Sequence, residues 1–159
     1  MNLTLISALT PDRVIGNNGA VPWDVPLDMK RFKALTLGHT VLMGRRTYET
    51  LSEPLTQRRN VVLTSRPIAG VETYPTIADA LRALESEKEV FVIGGGQIFA
   101  ELIESASALR LTIVDMKVDG DTFFPPYEHL IGPVFRLAAE EKLDGFTFRD
   151  YVRISASAG

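Results

Sequence analysis

Residues 21–32, VPWDVPLDMKRF, put an acid where an apolar side chain is due. Pro26 suits the first position of a helix, because it has no N–H to lose and its φ is already set. From there Asp28, Phe32 and Leu35 share one face at i, i+4 and i+7, and the two apolar members mark that face as inward. Asp24 reads as an ordinary acid that caps or leads into the helix. Asp28 is different, since a carboxyl taken out of water without a cationic partner holds its proton above the usual range and commonly marks function. Arg31 or Lys30, close by on the same helix, could instead neutralise it, and spacing alone leaves that open.

Three further stretches favour anions. MGRRT (43–47) leaves a strand through Gly44 and opens a helix with Arg45, Arg46 and Thr47. Guanidinium groups and free backbone N–H groups at such a point suit a phosphate. TSR (64–66) ends another strand with two hydroxyls and a guanidinium, Thr64, Ser65 and Arg66. IGGGQIF (93–99) sets three glycines between strand and helix, so that backbone can approach a phosphate or a ring closely. Each alone has a plain alternative: surface arginines are usually solvated, and glycines often only ease packing. Neither the dinucleotide fingerprint nor the phosphate-binding loop with its lysine is present. Three anion-friendly strand ends together point to a polyphosphate cofactor.

The elements that must position these residues follow from the hydrophobic pattern. Short apolar runs at 3–9, 40–44, 60–65, 90–96 and 109–115 read as buried strands. Helical stripes lie between them at 26–36, 45–52, 76–85 and 96–103. This alternation predicts a mainly parallel sheet flanked by helices on both faces. Residues 134–139 and 146–154 read as an antiparallel hairpin around KLDG, closing one sheet edge. In its second strand Phe146, Phe148, Val152 and Ile154 share one parity, broken by Asp150. The whole of 1–159 is expected to be a single α/β domain, with only the SASAG tail frayed.

A net charge of −3 argues against nucleic acid as the main partner. No run reaches membrane-spanning length, the N-terminal segment reads as a first strand and not a signal peptide, and cysteine is absent, so a cytoplasmic location is expected. His39 and His129 stand alone without metal-ligand spacing, DGDT (119–122) lacks the rest of a calcium loop, and no metal site is expected. No Ser-His-Asp arrangement or nucleophile elbow is present.

Taken in order, LISAL, RVIGNNGAVPWDVPLDMKRFK, HTVLMGRRTYETL, RRNVVLTS, VFVIGGGQIFAEL, LTIVD and GDTFFP resemble the dihydrofolate reductases of bacterial chromosomal type, nearly end to end. The resemblance implies an eight-stranded mixed sheet with four helices, in a protein expected to be a monomer. It implies reduction of 7,8-dihydrofolate to 5,6,7,8-tetrahydrofolate with NADPH, in support of one-carbon metabolism, and binding of antifolate inhibitors. Asp28 would meet the 2-amino group and N3 of the pterin, with Thr112 hydrogen-bonded beside it and Trp23 on the loop that gates water. Ile6, Ala8, Met29, Phe32, Leu51, Leu55 and Ile93 would surround the substrate, and Arg58 would grip the carboxylate of its glutamate tail. Ala8, Ile15, Gly95 and Gly96 would contact the nicotinamide end of the cofactor, with Phe99 beside the nicotinamide, and Gly16 and Ile98 would also line the cofactor site. Arg46 and Thr47 would lie at the pyrophosphate, and Arg45, Ser65 and Arg66 near the adenosine 2′-phosphate, with Gly44, Thr64 and Gln97 among the other cofactor-binding residues. Asp121 would steady the GNNGAVPW loop.

The chain departs from the family's usual pattern at four points. Phe99 stands where tyrosine is common, Val21 where methionine is common, Gln97 where some members carry a cation, and LTQRRN (55–60) lacks the Pro-Gly usual before the tail-binding arginine. Two other readings compete: a pyrimidine reductase of riboflavin synthesis, related in fold and in NADPH use, and a non-catalytic nucleotide-binding module. The first need not present Asp28 with Phe32 and Arg58; the second leaves Asp28 unexplained.

Overall fold

Six parallel strands form most of the sheet that carries these residues. In the computed structural model, which describes residues 1–155 and so leaves the tail from residue 156 outside the described residues, they are β1 (Asn2–Leu9), β3 (Thr40–Gly44), β4 (Arg59–Leu63), β5 (Glu72–Tyr74), β6 (Glu89–Gly94) and β7 (Ala108–Val114). Two antiparallel strands, β9 (Phe135–Leu143) and β10 (Phe146–Arg153), complete an eight-stranded order β5-β4-β3-β6-β1-β7-β10-β9. The KLDG turn between them places Gly145 at φ 86°, a conformation that glycine adopts without strain. A separate two-stranded sheet pairs β2 (Val14–Gly16) with β8 (Thr122–Phe123).

Four helices cover the sheet: α1 (Pro26–Thr36), α2 (Arg45–Thr50), α3 (Ile77–Ala83) and α4 (Gly96–Leu102). The strands alternate their apolar side chains between two cores, as a sheet buried on both faces requires. Leu3, Leu5, Leu9, Leu42, Val61 and Val92 pack with α3 and α4 on one face. Ile6, Val41, Met43, Val62 and Phe91 pack with α1 and α2 on the other. The five apolar runs, the four helices and the hairpin therefore stand where the sequence pattern puts them. The short strands β2, β5 and β8 carry too few residues to show a period, which is why the pattern missed them. Asp24 leads into α1 without capping it, because the N-cap is Val25 and no side chain bonds there.

Candidate active site

Helix α1 brings Asp28 to the carboxyl half of β7. Thr112, only 3% exposed and paired in register with Ala8 of β1, donates its hydroxyl to Asp28 Oδ1 at 2.5 Å. The choice that spacing left open is settled by the direction of Arg31. Its Nη2 donates to Asp150 Oδ1 on β10 at 2.6 Å, and its guanidinium lies 4.3 Å from the centre of the Phe148 ring. Lys30 is exposed. Asp28 is thus left without a direct cationic partner among the described residues. Burial holds its proton above the usual carboxylate range, while the Thr112 hydroxyl and the field of Arg31 pull the other way without overcoming it.

An apolar wall stands beside this acid. Ile6 is buried, and Phe32, Leu51, Leu55 and Ile93 are half-buried, all within the core cluster on the α1 face. Ala8 is half-buried on the neighbouring strand, whereas Met29 is 62% exposed and outside that cluster. Trp23 is half-buried on the segment that enters α1. Leu51, Leu55 and Arg58 also line a cleft of about 370 Å³ with Pro54 and Thr56. Arg58 is held there by two donations, Nε to Thr56 O at 2.9 Å and Nη1 to Thr36 Oγ1 at 3.0 Å. Thr56-Gln57 stands where Pro-Gly is usual, and Gln57 itself takes the left-handed conformation at φ 58°.

The anion-friendly strand ends converge on the other side. β3 and β6 are neighbours, so α2 and α4 begin close together, at Gly44 and Gly95. Thr47 turns its hydroxyl to this junction, where a Cβ on Gly94 would sit 3.1 Å from it. Gly96 has a plain structural reason, for a Cβ there would meet Phe123 O at 2.5 Å. Ile98 packs toward Gly44, and Phe99 is 1% exposed with its ring 5.0 Å from Phe124, within the core. Arg45 Nη1 donates to Thr64 Oγ1 at 3.1 Å and to Arg66 O at 3.3 Å, while its Nε pairs with Glu49 at 2.9 Å. Arg46, Ser65, Arg66 and Gln97 are exposed around them. Ile15 packs against the core, and Gly16 O accepts the Asp121 N–H at 3.1 Å. The Asp121 carboxylate accepts the Asn18 N–H at 3.0 Å, tying the GNNGAVPW loop to the strand beside it.

Comparison with known proteins gives the family. The family model described as dihydrofolate reductase matches residues 2–153. The chain is 45% identical over 130 residues, 80% of each chain, to dihydrofolate reductase type 3 of Salmonella typhimurium. It is 41% identical over 127 residues, again 80% of each, to dihydrofolate reductase of Staphylococcus aureus. The chain belongs to the dihydrofolate reductase family. A solved dihydrofolate reductase from Enterococcus faecalis, complexed with NADP(H) and RAB-propyl, superposes with a TM-score of 0.87 at 31% identity, covering 97% of each chain.

Against this dihydrofolate reductase frame, sequence reasoning missed two partners. Thr36 supports Arg58 from the last turn of α1, a contact across 22 residues that no local pattern signals. Asp150 pairs with both Arg31 and Arg110, the latter at 3.1 Å. Its signal was present as the one acid breaking the apolar parity of β10.

Proposed function

We infer that this chain reduces 7,8-dihydrofolate to 5,6,7,8-tetrahydrofolate with NADPH, and that Asp28 is the group that orients and activates the substrate. The observation that carries the reading is a half-buried carboxylate, bonded to Thr112, beside an apolar wall and without a cation of its own. Such a carboxylate matches two parallel N–H donors, as the pterin's 2-amino group and N3 provide. The surrounding low-dielectric wall strengthens that pairing and fixes the ring. Reduction adds a hydride at C6 and a proton at N5. The negative charge on Asp28 favours the protonated substrate, and water admitted near Trp23 delivers the proton. Arg58 pairs with the tail carboxylate, at the end of the cleft farther along α1.

The donor set on the other side fits a phosphorylated dinucleotide. Arg45, Arg46, Arg66, Thr47, Thr64 and Ser65 supply charge and hydroxyls, and Gly95 leaves backbone uncovered beside them. Arg46 and Thr47 would hold the pyrophosphate, and Arg45, Ser65 and Arg66 the 2′-phosphate. Arginine forks on a dianion give the preference for NADPH over NADH. When bound, NADPH supplies the hydride. Diaminopyrimidine antifolates would pair their protonated ring with Asp28 in the same way as substrate.

The reading further takes residues 1–159 as one domain acting as a monomer in the cytoplasm. Both halves of the site come from one chain, and the absence of cysteine suits a reducing compartment. The test is loss of NADPH absorbance on adding dihydrofolate, with NADH in parallel. Rapid oxidation that favours NADPH is expected. A folded protein that binds NADPH and oxidises none would overturn the assignment and favour a non-catalytic binder.

A further inference from the structure

We propose that Asp150 is a positioning residue that holds Arg31 off Asp28, so that the substrate-facing carboxylate keeps no cation of its own until substrate arrives. The proposal rests on the reading of Asp28 given above. Arg31 is three residues beyond Asp28 on α1, a spacing at which oppositely charged side chains normally meet. Its long stem lets the guanidinium reach either of two acids. Three contacts decide in favour of Asp150. The carboxylate takes Arg31 on one oxygen and Arg110 on the other, at 2.6 and 3.1 Å. The Phe148 ring supplies the guanidinium with a face at 4.3 Å. The Arg31 and Asp150 side chains are only 21% and 19% exposed, so solvent screens the pair weakly.

The strand register puts this clamp next to the site. Phe148 pairs with Thr112, and Asp150 with Arg110, so Arg31 is parked one strand away from the hydroxyl that bonds Asp28. The charged and titratable groups around Asp28 are few. Its own helix offers Arg31 and the exposed Lys30 and Lys33, with Asp24 just before it. β7 offers Arg110, already held by Asp150, and β10 offers Asp150 itself; Arg149 is of the opposite parity and pairs with Glu140. β1 contributes no titratable side chain. An Arg31 released from Asp150 has two acids left to turn to: Asp28, one turn back on its own helix, and Glu141 of β9, which stands opposite Phe148 in the register. A direct cation at Asp28 would compete with the N–H donors of the pterin and lower the carboxyl's proton affinity.

The test compares D150N with the parent enzyme by the pH profile of single-turnover hydride transfer and by KM. In D150N the midpoint is expected to fall by about one pH unit, and KM for dihydrofolate to rise several-fold while KM for NADPH stays unchanged. A carboxyl-carbon NMR titration of Asp28 in the ligand-free protein should shift in the same direction. Both effects should disappear in R31M/D150N and be largely rescued in D150E. An unmoved midpoint and an unmoved Asp28 titration in folded D150N would overturn the proposal. If D150N does not fold, R31M in the parent background decides. An Arg31 held away from Asp28 leaves its titration nearly in place on removal, whereas a rise of about one unit or more means that the two were already paired. D28N measured alongside separates the failures. Full activity in D28N removes the reading on which the proposal rests. Loss in D28N with no change in D150N removes only the role of Asp150.

Discussion

At the α1 end of the site a single carboxylate, Asp28, meets one hydroxyl beside an apolar wall. At the α2 and β4 end three guanidinium groups, Arg45, Arg46 and Arg66, stand near the surface, and one of them is already paired with Glu49. The first arrangement has few groups in a low dielectric, where each interaction is strong and an unpaired charge is costly. The second has many groups near water, where contacts are screened by salt and partly replaceable. On the function proposed above, this difference divides the labour: the buried end sets the reaction and its pH dependence, and the exposed end sets cofactor affinity and its salt dependence.

The largest expected effect lies at the buried end. Asp28→Asn should fold and bind NADPH, yet lose about 10²–10³-fold in turnover at neutral pH, with partial recovery as pH falls and the substrate is protonated from bulk water. Steady-state rates across a pH series check this. Equal activity at every pH would erase the contrast between the two ends. Next comes Arg45→Ala, which should weaken NADPH binding by about 10–100-fold and leave NADH binding nearly unchanged. Rising salt should narrow the gap between parent and variant in a binding titration, as screening predicts. A salt-independent loss would mean that the exposed end acts more like the buried one.

A smaller effect is expected for Thr112→Val, about 10-fold in kcat/KM for dihydrofolate. Its hydroxyl stabilises the ionised acid, so removing it should raise the Asp28 proton affinity further and move the pH profile upward. The smallest effect is on stability. The proton affinity of Asp28 is raised in the folded state, so the folded protein binds the proton more tightly than the unfolded chain, and stability falls as pH rises from the ordinary aspartate range through the folded-state value. Asp28→Asn should therefore melt a few degrees higher than the parent at neutral pH, with the gain shrinking as pH approaches that of an ordinary aspartate. Thermal melts at several pH values would show it. A variant less stable at neutral pH would mean that Asp28 is a structural acid.

Much of this division was legible in the sequence, for reasons specific to each end. The stripe of Asp28, Phe32 and Leu35 exposed the buried acid because helical spacing is local information. The strand-end glycines and arginines were equally visible, because α2 and α4 start where strands stop. Register across the sheet was not visible. The Asp150–Arg31 contact spans 119 residues, and only the broken parity of β10 hinted at it. Spacing alone could not say whether Arg31 neutralises Asp28, since that depends on a strand the helix meets only after folding. Gln57 hid for another reason: its left-handed backbone at φ 58° does work usually given to glycine, and no side-chain pattern reports a dihedral angle.

The most direct test of the central claim is calorimetry of a diaminopyrimidine binding at a pH where the free ligand is neutral, in two buffers of different ionisation enthalpy. An ionised Asp28 without a cation of its own should draw about one proton onto the ligand ring as the complex forms, and Asp28→Asn should draw none and bind far more weakly. Binding by the parent without proton uptake, or equal uptake by the variant, would contradict the account.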